Sequence, residues 1–315
     1  MENVKLKNMP LSSLASNFVI FITIIIPLNI LAQNSPIDSH SPHFYELEDS
    51  LVNIYNIDPQ NEQNLISMGE LYASEKIWDL AIDSYEKLVD LDPDNPDYLY
   101  RLGGTQAAYS EVVSKFKVLS LINTAKRNLI KSASLDVEHI YSRWALVQIL
   151  TELPQILGGN KENALKYCNE IQNISFIHGL ISYHYFYSFQ NNQDKITELE
   201  TDIVKYIIST PSLFEFNYFN FVVGRLLTTQ NDKINKLSIK YLETYLANYS
   251  SADRFTLDEV YYYLAYSNYR AGNTNSKPLI NRAKKAYENN QKKNPNLNKK
   301  IEELDKLIKQ WKFTL

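Results

Sequence analysis

A chain that repeats its small residues and prolines at a fixed interval builds its core from neighbours of its own kind. Here "IDPQNEQNLISMGE" begins at Ile57 and "LDPDNPDYLYRLGG" at Leu91, 34 residues later. Pro59 and Pro93, Leu65 and Leu99, Met68 and Leu102, and Gly69 and Gly103 all keep that distance. A period of this size belongs to stacked supersecondary units, none of which buries its apolar face alone.

Residues 62–95 are one such unit. Leu65, Met68, Gly69 and Tyr72 recur at helical spacing, and Trp78, Ala81, Ile82, Tyr85, Leu88 and Val89 do so again after the polar connection "ASEKIWD". Pro93 disfavours helix at Asp92 and closes the unit. Gly69 and Ala81 let the paired backbones approach, while Tyr72 and Tyr85 fill the space beside them. With only 8 Gly and 11 Pro in 315 residues, long helices are favoured over a many-turned sheet protein.

This order of a large residue, a residue-Gly pair, Tyr, Ala, an aromatic and Pro resembles the tetratricopeptide repeat (TPR), a helix–turn–helix unit. Leu65, Met68-Gly69, Tyr72, Ala81, Tyr85 and Pro93 meet it in turn. The resemblance implies an all-α, right-handed superhelical solenoid of about five to six helix pairs over residues 44–315. Leu47, Leu51, Ile54 and Pro59 form a preceding half-repeat, with Ser41-Pro42 as its helix start. From residue 104 to 230 the register blurs. Gln106 stands where an aromatic is expected, and the partner helix around Ala125 and Leu129 arrives late, making "SEVVSKFKVL" an insertion or helix extension. A third pair is expected from Tyr141, Trp144 and Ala145 with Ala164, Cys168 and Ile171. A fourth falls over 176–190 and 194–209. A fifth falls over 214–229 and 233–249, with Val223-Gly224 in the Leu-Gly place. The last pair sharpens again at Tyr261, Leu264 and Ala265, then Ala283, Tyr287 and Pro295. "IEELDKLIKQWKF" is a capping helix, needed because the last repeat would otherwise expose its stacking face.

The first 32 residues are expected to be a signal peptide. Lys5 and Lys7 precede the apolar run Phe18 to Ala32, which contains Pro27, is short for a membrane span, and ends in a plausible cleavage site after Ala32. The protein is then periplasmic or secreted, and an uncleaved segment would tether it to the membrane instead. Residues 33–43 are expected to be a flexible mature N-terminus. The net charge of −4 excludes a general nucleic-acid binder. Cys168, the only cysteine, rules out an intramolecular disulfide and falls at an apolar-periodic position, as a buried structural thiol does.

No catalytic or metal motif emerges. "SHSPH" could hold a metal weakly, but it sits in the polar N-terminal stretch. "LGGNKENALK" lacks phosphate-loop spacing. In "LPQILGG", Leu153-Pro154 ends a helix, Gly158-Gly159 turns the chain and Asn160 caps the next helix. No cofactor is implied. The aromatic residues, 23 Tyr and 13 Phe, mostly pack between helices. The TPR resemblance places groove-lining positions at Glu259, Tyr262, Tyr266 and Tyr269 in the last repeat, a tyrosine stripe lying off the Tyr261/Leu264/Ala265 packing face. In the first repeat it places Gln63, Ile66, Glu70 and Ala73 there. Ile66 and Glu70 cannot clamp a chaperone tail as Lys and Asn do in other members of the family. The implied function is a non-catalytic envelope scaffold binding a peptide or protein. An outer-membrane assembly or nutrient-uptake accessory is the alternative, and an enzyme site around Trp144, His178 or His184 is a third.

Overall fold

The computed structural model describes residues 41–228, 232–250, 252–290 and 292–311. The signal-peptide segment and residues 33–40 lie outside them. Among the described residues there are fourteen α-helices and no strand. They are α1 Pro42–Ile57, α2 Glu62–Ser74, α3 Trp78–Leu91, α4 Pro96–Ser110, α5 Lys115–Leu135, α6 Ile140–Glu152, α7 Lys161–Ile174 and α8 Phe176–Phe189. Then come α9 Gln193–Ser209, α10 Asn217–Leu227, α11 Asp232–Ala247, α12 Leu257–Arg270, α13 Ser276–Asn289 and α14 Pro295–Trp311. The chain forms two compact units, one reaching Leu199 and one from Glu200, so the division falls inside α9. The single superhelix expected from the sequence carried no such division.

The repeat's punctuation is visible in the helix ends. Asn61 and Asn95 cap α2 and α4, the Asn61 side chain accepting from the Asn64 amide at 2.9 Å and that of Asn95 from Asp97 and Tyr98 at 3.0 and 3.2 Å. Ser41 caps α1, accepting from the Phe44 amide at 3.2 Å, and Pro42 occupies its first turn. Ser41 to His43, expected to be flexible, therefore belong to the start of α1.

Within the first unit each helix packs on the next, α1 to α8, and α4, α6 and α8 also touch in alternation. In the second, α10 to α14 pack in the same succession, and α12 touches α14. The even-numbered helices of each unit therefore share one side. The core lies between the helices of each pair. Leu65, Ala81, Tyr85 and Leu88 are buried between α2 and α3, as are Ala125 and Leu129 on α5 and Ala164, Cys168 and Ile171 on α7. Gly69 sits where Tyr85 crosses: a Cβ there would lie 2.3 Å from Tyr85 Cε1. Gly103 and Gly224 play the same part against Leu129 and Leu242.

The blurred middle resolves into longer or shifted versions of the same pair. Of "SEVVSKFKVL", Ser110 ends α4, Glu111 to Ser114 connect, and Lys115 to Leu119 open α5. Buried Gln106 keeps its place by accepting from Asn128 Nδ2 at 3.0 Å, a polar contact where other repeats use an aromatic. On α6 the buried line runs through Arg143, Trp144, Val147 and Leu150, while Tyr141 and Ala145, expected in the packing face, are half-exposed. Between α6 and α7, Leu153 turns extended before Pro154, a single 3-10 turn follows at Gln155–Leu157, and Gly158 takes a left-handed φ of 93°. Gly159 is pressed so close that a Cβ would collide with the Leu153 carbonyl. Asn160 caps α7, accepting from the Asn163 amide at 2.9 Å. That loop is a structural corner.

The last helix closes the second unit. Ile301, Leu304 and Ile308 of α14 pack with Ala265, Ile280 and Ala283. Beside them Asp305, 5% exposed, accepts from Lys284 and Lys309, each at 2.6 Å. Burial alone would raise its pKa, but the two ammonium groups outweigh that and hold the carboxyl below its ordinary range.

Candidate functional site

The even-helix side of each unit carries the residues not consumed by helix pairing. In the first unit it holds Tyr100 and Tyr141, with ring centroids 6.0 Å apart, and His139 at 5.2 Å from Tyr100. His139 is oriented from both ends. Its Nδ1 accepts from the Ser142 amide at 3.1 Å, capping α6, and its Nε2 lies 3.1 Å from Asp97 Oδ1. With Nδ1 accepting, Nε2 carries the proton toward Asp97. Tyr100 is the counterpart of Ile66, 34 residues on. Desolvation, partly offset by Arg101, pushes its phenol well above the ordinary range, so it stays a neutral hydrogen-bonding group.

Of the groove positions expected in the first repeat, Ile66 packs half-buried on the core of Leu65, Tyr85, Leu88, Tyr98 and Leu102. Part of its surface is spent on folding. Glu70 is exposed, and its Oε1 accepts from Arg101 Nη1 at 2.6 Å.

In the second unit the tyrosine stripe is present but not free of packing. Tyr262, Tyr266 and Tyr269 lie half-buried against the cluster of Ala265, Ile301, Leu304 and Ile308. This corrects the expectation that the stripe stands apart from packing: the rings pack on a core cluster drawn from α12, α13 and the capping helix α14. Tyr262 and Tyr266 stack, with centroids 6.3 Å apart and planes 13° from parallel. Tyr269 meets the edge of Trp311 at 6.0 Å.

Beside the stripe lies a charged group. Glu259 Oε1 is 3.7 Å from Arg225 Nη1, and the two side chains are 24% and 7% exposed. Arg225 projects from α10 over the rings of Phe221 and Phe255, 5.7 and 5.8 Å from their centroids. Lys300 of α14, half-buried, lies within electrostatic reach of both charges. Desolvation raises the pKa of Glu259 although Arg225 opposes it, and desolvation lowers that of Lys300 although Glu259 opposes that. Neighbouring Tyr263 is pushed up to about 12, again by desolvation first. Glu259 was expected here from the repeat register; Arg225 and Lys300 were not. The signal existed. Arg225 follows Gly224 as Glu70 follows Gly69, so carrying the groove positions onto the fifth pair would have found it.

Among the described residues no group of three or more His, Cys, Asp or Glu side chains could hold a metal ion. Cys168 is fully buried, and desolvation, against a hydrogen bond with Ser182, pushes its thiol up to about 12, out of range of nucleophilic use. Trp144 and His184, considered for an enzyme site, are buried, Trp144 edge-on to Tyr185 at 5.1 Å. His178 Nδ1 lies 2.7 Å from Ser175 Oγ at the start of α8. Among the described residues no helix is long and apolar enough to cross a membrane.

Helix pairs crossing at a small residue, repeated along the chain and finished by an amphipathic cap, define a helical-repeat protein. Residues 69–108, from the end of α2 through α3 into α4, match the TPR repeat family model. Those residues carry a tetratricopeptide repeat. No curated protein matches the chain. Among solved structures it is similar to a tetratricopeptide repeat protein from Parabacteroides merdae, at 14% identity and a TM-score of 0.44, covering 84% of this chain and 92% of that one. It is also similar to MamA, at 20% identity and a TM-score of 0.33, covering 57% of this chain and 93% of that one.

Proposed function

We propose that this protein is a non-catalytic scaffold of the cell envelope that holds a peptide or protein partner against the even-helix side of its second unit. The observation that carries the reading is the group Glu259, Tyr262 and Tyr266. These side chains remain partly open to solvent beside a charged floor that the fold does not neutralise by close pairing. Tyrosine offers a large, rigid contact area with a hydroxyl at its tip, at small cost in rotamer entropy. Proteins built from this repeat serve as interaction scaffolds, which agrees with a face rich in rings and lacking an acid–base pair. The outer-membrane assembly or uptake role is a narrower version of the same reading, and no particular residue favours it.

Two measurements test this. A photo-crosslinking amino acid at Tyr266 should give discrete adducts in the native host, whereas the same probe at Lys87, on the odd-numbered helix α3, should give none. Adducts of equal yield at both positions, or at neither, would remove the assignment of this face. Export is tested separately. The mature chain should begin at Gln33, read by N-terminal sequencing of protein from the envelope fraction. An intact Met1 on protein recovered from the cytoplasm would show that residues 1–32 are not a targeting segment.

A further inference from the structure

α1 opens the first unit as the second helix of a pair whose first helix is not among the described residues. Leu47, Leu51 and Ile54 stand 34 residues before Ala81, Tyr85 and Leu88 of α3. On α3 all three side chains are buried, because α2 packs beside them: Leu88 lies in one cluster with Leu65, and Ala81 in another with Tyr72. On α1, Leu51 is buried, but Leu47 and Ile54 are 40% and 41% exposed. Ile57, 86% exposed, falls on the same side with Ser50, since positions 47, 50, 54 and 57 follow helical spacing. Glu46 and Asp49, both exposed, border this strip. From Ser41 to Glu75 the chain carries seven acidic side chains and no Lys or Arg. An apolar strip edged by acid alone fits an apolar surface edged by base.

The first unit itself carries such a surface. α5 has five basic residues and no acidic one. Leu119 and Ile130, 47% and 49% exposed, stand eleven residues apart, three helical turns, and so lie on one side. Exposed Arg127 borders that side, with exposed Lys117 further round. Lys126 Nζ donates to the Gly158 carbonyl at 3.3 Å and ties the Gln155–Leu157 corner to the same helix, where Ile156 is 90% exposed. Exposed apolar side chains scattered singly are ordinary; these gather on two helices of one unit, each group edged by charge of one sign. α1 against a second α1 would join the apolar strips but bring acid to acid with no cation between them.

We propose that a second copy of this chain covers the open side of α1, docking α5 and the Gln155–Leu157 corner of its own first unit there. Leu47, Ile54 and Ile57 of one copy lie against Leu119, Ile130 and Ile156 of the other, and Glu46 and Asp49 face Arg127 and Lys117. A two-fold pair makes this contact twice, and a series of copies makes it once at each joint. None of these residues belongs to the tyrosine face, so the interface stands or falls apart from the peptide-binding reading.

Sedimentation velocity on the chain beginning at Gln33, over a series of concentrations, tests this. The wild-type chain should associate, as a dimer or a longer series. Ile54→Asp on α1 and Ile130→Asp on α5 should each weaken association about tenfold or more, as loss of an interface anchor does. Both should keep the wild-type helix content by far-UV circular dichroism, because both positions are open to solvent. Two doubly charge-reversed chains give a readout that misfolding cannot imitate. Glu46→Lys with Asp49→Lys, and Lys117→Glu with Arg127→Glu, should each sediment as monomers. Mixed one to one they should associate again, since each then meets the sign it lacks. A wild-type chain that is monomeric at every concentration overturns the proposal. So does association that is lost in Ile54→Asp but kept in Lys117→Glu with Arg127→Glu, which would assign α1 to a second α1. Reversed chains that remain apart on mixing overturn it as well.

Discussion

Gly69→Leu is expected to destabilise the first unit by about 1–3 kcal/mol, through overpacking of a helix crossing. A Cβ alone at this position would sit 2.3 Å from one atom of the Tyr85 ring and 2.5 Å from the next, inside contact distance. Tyr85 is itself 3% exposed and part of the core with Leu65, Leu88, Tyr98 and Leu102, so the ring cannot swing clear without opening that core. Helix propensity alone points the other way, since leucine favours a helix over glycine by somewhat under about 1 kcal/mol. The sign of the result therefore decides whether crossing or propensity governs the position. Gly104→Ala is the control. Its Cβ would meet only one ring atom of Tyr100, at 4.0 Å, so it should stabilise by up to about 1 kcal/mol. Chemical denaturation followed by far-UV circular dichroism measures both. An unchanged midpoint for Gly69→Leu would mean that α2 and α3 do not cross where Tyr85 meets Gly69.

The same steric logic explains what is legible in the amino-acid sequence. Gly69, Ala81, Tyr85 and Pro93 carry information because each is nearly the only residue type that its place tolerates. A glycine under a ring, or a proline just past a helix end, leaves a mark that periodicity alone does not. Gly224 worked in the same way in the fifth pair, where Leu242 stands over it. In the third pair Trp144, Ala164, Cys168 and Ile171 are buried as expected, but Tyr141 and Ala145 are only half-buried, for the converse reason. Ala145 looks like the small crossing residue, but the buried line runs through Trp144 and Val147, and the connector to α7 absorbs the change in an irregular corner. Nothing in the local pattern distinguishes a small residue at a crossing from a small residue on an open face.

The candidate site was half legible for a related reason. Glu259, Tyr262, Tyr266 and Tyr269 could be placed by counting along the repeat, because side-chain direction on a helix follows position. How much of each ring remains free could not, since that depends on packing with residues far along the chain, such as Ile301, Leu304 and Trp311 of α14. Ile66, half-buried at the edge of a core, likewise divides its surface between that core and solvent. The cation in the groove came from the blurred fifth pair, outside the two repeats onto which groove positions had been carried.

Arg143→Met is expected to be the more damaging substitution of the two argued here, at about 3 kcal/mol or somewhat above, by removal of one partner from a buried ionic network. Arg143 and Arg225 are nearly alike in burial, 7% exposed in each side chain, and both sit on an even-numbered helix. Their surroundings are opposite. Arg143 Nε donates to Glu170 Oε2 at 2.9 Å, Nη1 to the carbonyls of Asp136 and His139 at 3.1 and 3.0 Å, and Nη2 to the carbonyl of Ala133 at 2.8 Å. The Ala133 carbonyl belongs to the last turn of α5 and that of Asp136 to its cap, where helix carbonyls lack intrahelical partners and favour a cation. One side chain thus ties the end of α5, the start of α6 and the body of α7. Methionine fills much of the volume but supplies no donor: the carbonyls of Asp136 and His139 keep the His139 amide and the Ser142 hydroxyl, while the Ala133 carbonyl and the Glu170 carboxylate lose the arginine. Glu170, 31% exposed, can find water in part, which holds the loss toward the lower end. Arg143→Lys should recover only a fraction, because an ammonium cannot reach four acceptors spread over three helices. Denaturation midpoints of Arg143→Met and Arg225→Met, measured side by side, separate the two kinds of buried arginine. The first should fall and the second should hold or rise. If Arg143→Met keeps the wild-type midpoint, the three helices are joined by apolar packing alone, and the hydrogen bonds of Arg143 contribute nothing beyond what water supplies.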